Sequence, residues 1–330
     1  AGATTPEMVI AVSEAGGLGS LPAAQYSPED LRTALETVRA HTRRPLNLNF
    51  FAHTPPPPDD AAQARWREHL RPYYEELNLD PGTPAGAGRA PFDDAFCRLV
   101  ETFRPEVVSF HFGLPDDALL ARVKQTGAVI LSSATTVKEA LWLEAHGADA
   151  IIAMGAEAGG HRGNFLTHDM STQVGTFALV PQIADAVALP VIAAGGIADR
   201  RGVAAAFALG ASMVQVGTAY LFTPEARVSG LYRRALRDAG DDSTALTNLF
   251  TGRPARGIIN RLMREVGPLS ADAPPFPTAG AALMALRAAA EAQGRDDFTN
   301  LWAGQAARLA PDLSSADLTR YLGGQSPPQT

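Results

Sequence analysis

The segment Glu157-Ala158-Gly159-Gly160-His161-Arg162-Gly163 follows directly on the apolar run 150–154, and it holds the residue types best suited to chemistry. A strand ending in a glycine-rich turn lets backbone approach a flat or anionic ligand closely while presenting one imidazole to it. That is the layout of a proton-transfer site with His161 as the acceptor. Further on, Val191-Ile192-Ala193-Ala194 ends in Gly195-Gly196-Ile197, and Met213-Val214-Gln215-Val216 ends in Gly217-Thr218. Two consecutive strands that stop at glycine ahead of a helix gather backbone N–H groups at helix N-termini, which is the physics of phosphate binding. The pair matches the phosphate site after strands 7 and 8 of a (β/α)8 barrel. Neither turn has the Lys-Ser/Thr of a P-loop or a spaced Gly-x-Gly-x-x-Gly, which argues against those nucleotide sites.

The elements that would position these groups alternate regularly. Helices are expected over 5–15, 28–39, 92–103, 115–125 and 136–146; strands over 17–21, 46–50, 107–111, 129–133, 150–154, 191–194 and 213–216. Short apolar runs alternating with amphipathic segments indicate βα units and a parallel sheet. The count is one strand short of a closed barrel, and an open barrel would expose two edges, so a strand ahead of residue 1 is expected. Thr54-Pro55-Pro56-Pro57-Pro58 interrupts the rhythm and opens an insertion over about 52–91, with a helix over 59–77. The expected architecture is α/β: a (β/α)8 TIM barrel over 1–224, a smaller helical substrate or lid domain over 225–298, and a segment over 299–330 returning to the barrel. Length agrees, since 330 residues exceed the roughly 250 of a typical barrel.

Composition narrows the function. An apolar content of 46% supports a sizeable core, and a net charge of −7 with a pI near 5.5 argues against a nucleic-acid or anionic-membrane surface. Arg253, Arg256, Arg261 and Arg264 cluster locally but alternate with apolar residues, as on an ordinary helix face. The single cysteine, Cys97, excludes an internal disulfide or a multi-cysteine metal site and reads as a core thiol. The histidines show no ligand spacing, so no metal is expected. The absence of a signal-peptide pattern or of a long apolar run predicts a soluble, cytoplasmic protein.

Taken in order, Glu157-Ala158-Gly159-Gly160-His161-Arg162-Gly163, Ala193-Ala194-Gly195-Gly196-Ile197-Ala198-Asp199, Gln215-Val216-Gly217-Thr218 and Leu301-Trp302-Ala303-Gly304-Gln305 resemble the nitronate monooxygenases, once called 2-nitropropane dioxygenases. The likeness extends to Ala15-Gly16-Gly17-Leu18-Gly19 and Asn47-Leu48-Asn49-Phe50-Phe51. It implies an FMN-binding barrel that oxidises nitronates, such as propionate 3-nitronate, or nitroalkanes with molecular oxygen. By the same resemblance Asn49 would bond the flavin ring, and Gly159 and Gly160 would lie against it. Gly195, Gly196, Gln215, Val216, Gly217 and Thr218 would hold the phosphate, and His161 would be the base, its imidazole having an ordinary pKa near ~6.5. Met154 stands where the family commonly has Gln, leaving a packing or backbone contact.

His111, Ser132, Ser133 and Gln305 are further candidates for the rim, with rim packing or a plain turn as the alternative for each. His41, His53, His69 and His146 are expected to face solvent, and Trp302 to pack the last helix. Two other functions fit the same motifs: an FMN-dependent NAD(P)H:quinone or enoyl-acyl-carrier-protein reductase, and a non-catalytic flavin-binding module.

Overall fold

The computed structural model describes residues 2–82 and 88–325. All seven expected strands form. They are β1 (Gly19–Pro22), β2 (Leu46–Phe51), β3 (Val107–His111), β4 (Val129–Ala134), β5 (Ala150–Met154), β7 (Val191–Ala194) and β8 (Met213–Gln215), with the two-residue β6 (Gly160–His161) between β5 and β7. The seven make one curled parallel sheet in the order β1-β2-β3-β4-β5-β7-β8. Helices fill the crossovers, and most helices of this layer are begun by a residue whose side chain accepts a backbone N–H: Thr5, Ser27, Asp93, Asp116, Thr136 and Asp199; the helix Thr176–Ala186 starts at Gly175 without one.

Strand periodicity sorts every side chain. Leu46, Leu48 and Phe50 on β2, with Val108, Phe110 and Ile130, pack outward against the helices. Alternate residues face the inside of the curl, where Leu131, Ala150, Ile152, Ile192 and Ala194 cluster. The ladder registers carry that parity across the sheet. Phe51 pairs with His111, Ser133 with Ile152, Met154 with Ala194, and Ala194 with Gln215. One row of residues at the C-terminal strand ends therefore points into the same space.

The region after β8 is less helical than the sequence suggested. It contains β9 (Thr244–Thr247) and β10 (Ala255–Ile258), which form a second, antiparallel sheet in the order β6-β10-β9. The insertion helix is broken into Asp60–His69 and Arg71–Glu76 at Pro72, because proline is tolerated only in a first helical turn. Both ends of the insertion are tied to the sheet: Ala52 N donates to His111 O, and Phe92 N donates to Phe51 O at 2.7 Å. Its helices pack on the later chain, where Trp66, Leu70 and Tyr74 share a core with Leu249, Phe250, Leu262, Leu286 and Phe298. Arg261 and Arg295 bridge the same two regions through Glu76. Residues 83–87 of the insertion and 326–330 of the C-terminal segment lie outside the described residues.

Trp66 is fully buried and its Nε1–H donates to Ala279 O at 3.1 Å. We expect Trp66→Ala to destabilise the fold by about 3–5 kcal/mol. A change under about 1 kcal/mol in denaturant unfolding would show that the insertion is not anchored there.

Candidate active site

The end of β5 is aimed by buried guanidinium groups. Arg162 donates to Met154 O (2.9 Å), Gly155 O (2.7 Å) and Gln173 Oε1 (2.9 Å), and Arg256 donates to Ala156 O at 2.9 Å. Three successive carbonyls at the strand end thus have fixed partners, which sets the path of the turn that follows. Glu157 continues it by accepting from the N–H and hydroxyl of Thr176, each at 2.8 Å at the closer oxygen. Its carbonyl accepts from Gln305 N at 3.0 Å. At Gly159 a Cβ would stand 2.5 Å from Gly304 N, so only glycine allows this approach.

These elements enclose a cavity of about 120 Å³ at the strand ends, lined by His111, Ser133, Met154, Gly159, Gly195, Gly196, Gln215, Gly217, Thr218, Gly304 and Ala306 among others. Gly195 and Gly196 both have positive φ, +114° and +70°, which a glycine pair adopts without strain. The short helix Thr218–Phe222 begins at Gly217 with no side-chain cap. Thr218 Oγ1 accepts from Gly304 N at 2.9 Å, which leaves its proton free to donate.

The side chains of four expected site residues are engaged outside the cavity lining. Ser132 is fully buried on the outward face of β4 and donates to Gly113 O, whereas its neighbour Ser133 lines the cavity. The side chain of Val216 likewise packs outward against the helix layer, which leaves its backbone amide as the group expected at the phosphate. In both cases the two-residue period turns adjacent side chains to opposite faces. Gln305 is exposed, and Gly304 and Ala306 on either side of it line the cavity instead. Asn49 faces inward, but its amide donates to Ser109 Oγ at 2.9 Å, within a polar layer with Asn47 and Ser20.

His161 sits on the side of the second sheet. It pairs with Ala255 through β6 and β10, and its Nε2 lies 2.9 Å from Thr251 Oγ1. Its ring is surrounded by Phe51, Phe112, Phe276 and Trp302 at centroid distances of 6.0, 6.1, 5.3 and 5.5 Å. Trp302 therefore packs on His161, not on the last helix. His111 Nε2–H donates to His161 O at 3.0 Å, and its Nδ1 lies 3.1 Å from Ser133 Oγ. A ring that donates to a carbonyl from Nε2 can accept at Nδ1 while neutral.

Burial, with smaller contributions from nearby cations such as Arg89, holds His161 well below the ordinary imidazole value. Burial also lowers His111 to about 3 and His53 to about 4, Arg253 adding to the latter. The near-ordinary value expected for His161 is thus corrected, because the aromatic wall removes the water that would solvate an imidazolium. His53 is corrected too: it is buried against Phe276 at 4.8 Å, not solvent-facing. His41, His69 and His146 are exposed as expected. Arg253 and Arg256 belong to a loop and a strand and turn inward, so only Arg261 and Arg264 lie on a helix. No sequence signal marked Arg162, because an arginine among glycines gives no sign of burial.

The three lowered histidines make native stability pH-sensitive in one direction. The unfolded chain takes up protons below about pH 6.5 that the folded chain refuses, so stability falls as pH drops toward the folded values of about 4 for His53 and about 3 for His111. Each contributes a slope of up to about 1.4 kcal/mol per pH unit in that window. Imidazole NMR signals of His53 and His111 should stay unprotonated from pH 8 to 5; a midpoint near 6.5 would overturn their burial.

The profile of the nitronate monooxygenase family matches residues 1–323. The chain is 41% identical over 324 residues to the nitronate monooxygenase of Pseudomonas aeruginosa, covering 97% of this chain and 92% of that one. Among solved structures, a nitroalkane oxidase from Streptomyces ansochromogenes is similar at TM-score 0.87 and 38% identity, covering 98% of this chain and 92% of that chain. FabK from Thermotoga maritima is similar at TM-score 0.71 and 28% identity, covering 97% and 88%. With a matching profile over nearly the whole chain and relatives of this identity, the chain belongs to the nitronate monooxygenase family.

Proposed function

We propose that this protein is an FMN-dependent nitronate monooxygenase of TIM-barrel architecture with a lid of mixed helices and strands, oxidising alkyl nitronates, propionate 3-nitronate among them, and nitroalkanes with molecular oxygen. The observation that carries the reading is the juxtaposition, at one cavity, of two strand-end glycine turns with the desolvated His111 imidazole, which donates to the backbone of His161 behind it. FMN would supply electron acceptance and reaction with oxygen. The residues present fit it: Gly217 has nothing within 4 Å of where a Cβ would stand, Thr218 keeps a hydroxyl proton to donate, and the Gly195–Gly196 turn exposes backbone toward the same space. Gly159 and Gly160 would face the ring, and Met154 would pack beside it.

In this reading His161 accepts the α-proton of a nitroalkane, and the aromatic wall excludes water around it. Its low basicity weakens that step while leaving the imidazole neutral at working pH. An already formed nitronate requires no such proton transfer, so nitronates should be the better substrates. No helix in the described residues is long and apolar enough to cross a membrane.

Cofactor released from the purified protein should be FMN by mass spectrometry. Gly217→Val should fold normally, since the protein itself leaves room for the side chain, yet lose flavin; equal flavin content in variant and wild type would remove Gly217 from the phosphate site.

His161→Asn should retain flavin but lose nitroalkane turnover by about 10²–10⁴-fold while keeping more of its activity on preformed nitronates. Equal losses on the two substrates would make His161 an anion-binding or positioning group. In the same assays, NADH oxidation without nitronate turnover would favour the reductase alternative.

A further inference from the structure

Beside His161, on the lid side of the aromatic wall, the protein half-buries two cations that have no ion-pair partner among the described residues. Arg253 lies with its Cζ 3.9 Å above the Phe112 ring. Arg89 returns from the insertion next to Pro277, which is 3.0 Å from the Cβ position of the adjoining Gly88. Neither arginine forms an ion pair among the described residues, and the sequence over 83–87 contains no acid. Both have a buried Nε with no hydrogen-bond partner. Glu139, whose charge reaches Arg253, is already saturated by Thr135, Phe165 and Leu166.

His53 completes the group. It is nine-tenths buried, and neither ring nitrogen has a partner; the Arg89 backbone approaches the ring without completing a hydrogen bond. Its ring is 6.2 Å from Phe112 and 4.8 Å from Phe276, the two aromatics that also flank His161. Orphaned donors around uncompensated charge carry a large desolvation cost, which an incoming anion offsets.

We propose that Arg89, Arg253 and His53 form a second anion subsite that recognises a carboxylate on the tail of the substrate, next to the centre at which His161 acts. The proposal rests on the nitronate reading above and deepens it. Charge count supports the assignment: two guanidinium groups without an ion-pair partner match a nitronate that carries one further negative group, whereas a simple alkyl nitronate would leave one of them without a direct partner. Arg253 follows Thr251, the partner of His161 Nε2, by two residues, so the subsite and the imidazole belong to one rigid loop.

The test compares propionate 3-nitronate with propyl 1-nitronate on the flavin-loaded protein. Wild type should favour the carboxylate-bearing substrate in kcat/KM. Arg89→Met and Arg253→Met should each lower that preference by about 10- to 100-fold, the loss typical of a charge-assisted hydrogen bond. Arg89→Lys, which keeps the charge, should restore part of it. Propionate should also perturb the flavin absorbance of wild type and do so more weakly in Arg89→Met, a readout independent of turnover. Parallel losses on both substrates would overturn the subsite by assigning the arginines to the nitronate group itself. An unchanged preference in both variants would overturn it as well. Failure of wild type to turn over either nitronate would instead count against the nitronate reading, which keeps the two outcomes distinct.

Discussion

The pairing of Gly160 and His161 with Arg256 and Ala255 is the constraint on which the rest of the site depends. It takes the turn after β5, which would otherwise be a loop over the sheet, and makes it the edge of a second sheet built from the chain after β8. The histidine is thereby fixed from both sides: Thr251 holds its ring from the lid, and His111 holds its backbone from the barrel. Arg256, one position along the same lid strand, reaches back to the carbonyl of Ala156. Displacing the lid strand would therefore move the imidazole and the strand end together.

The second governing feature is the exclusion of water from the lid seam. Phe51, Phe112, Phe276 and Trp302 wall in His161, and the same aromatics bring His53 and Arg253 out of solvent. An imidazole there is neutral, and the Arg253 guanidinium, which donates through Nη2 to Asn164 O, keeps a buried Nε without an acceptor. Opposite the seam, much of the cavity wall is glycine backbone and small side chains, set among larger ones such as His111, Met154 and Gln215, and the glycines suit close approach of a planar ring. The two halves divide the work by chemistry: backbone and a hydroxyl on the barrel side, ring nitrogens and cations on the lid side.

Much of this was legible in the chain because it depends on local patterns. Strands such as 107–111 and 191–194 announce themselves by continuous apolar residues bounded by turns, and the Gly159, Gly195 and Gly217 turns mark where backbone must come close. The choice between Ser132 and Ser133 was not legible, since a buried strand is apolar on both faces and gives no alternation to read. His53 in its proline-rich surroundings looked like surface, and Trp302 looked like helix packing; each is decided by residues distant in sequence. Strands β9 and β10 were missed because they are short, and Arg256 within β10 disguised it as a polar helix face.

The sequence by itself determined the seven parallel strands, the glycine turns that end three of them, the identity of His161 as the imidazole presented there and the family to which these motifs belong. These follow from period, turn chemistry and residue type, all of which act within a few neighbours. Tertiary structure decided the protonation state of that imidazole, the inward turn of Arg162, Arg253 and Arg256, and the meeting of the insertion with the lid around Trp66. Those outcomes depend on which distant segments exclude water from a given side chain. Exclusion of water is a property of the packed whole, so the same histidine or arginine reads identically in the chain whether it ends in solvent or in a wall of aromatic rings.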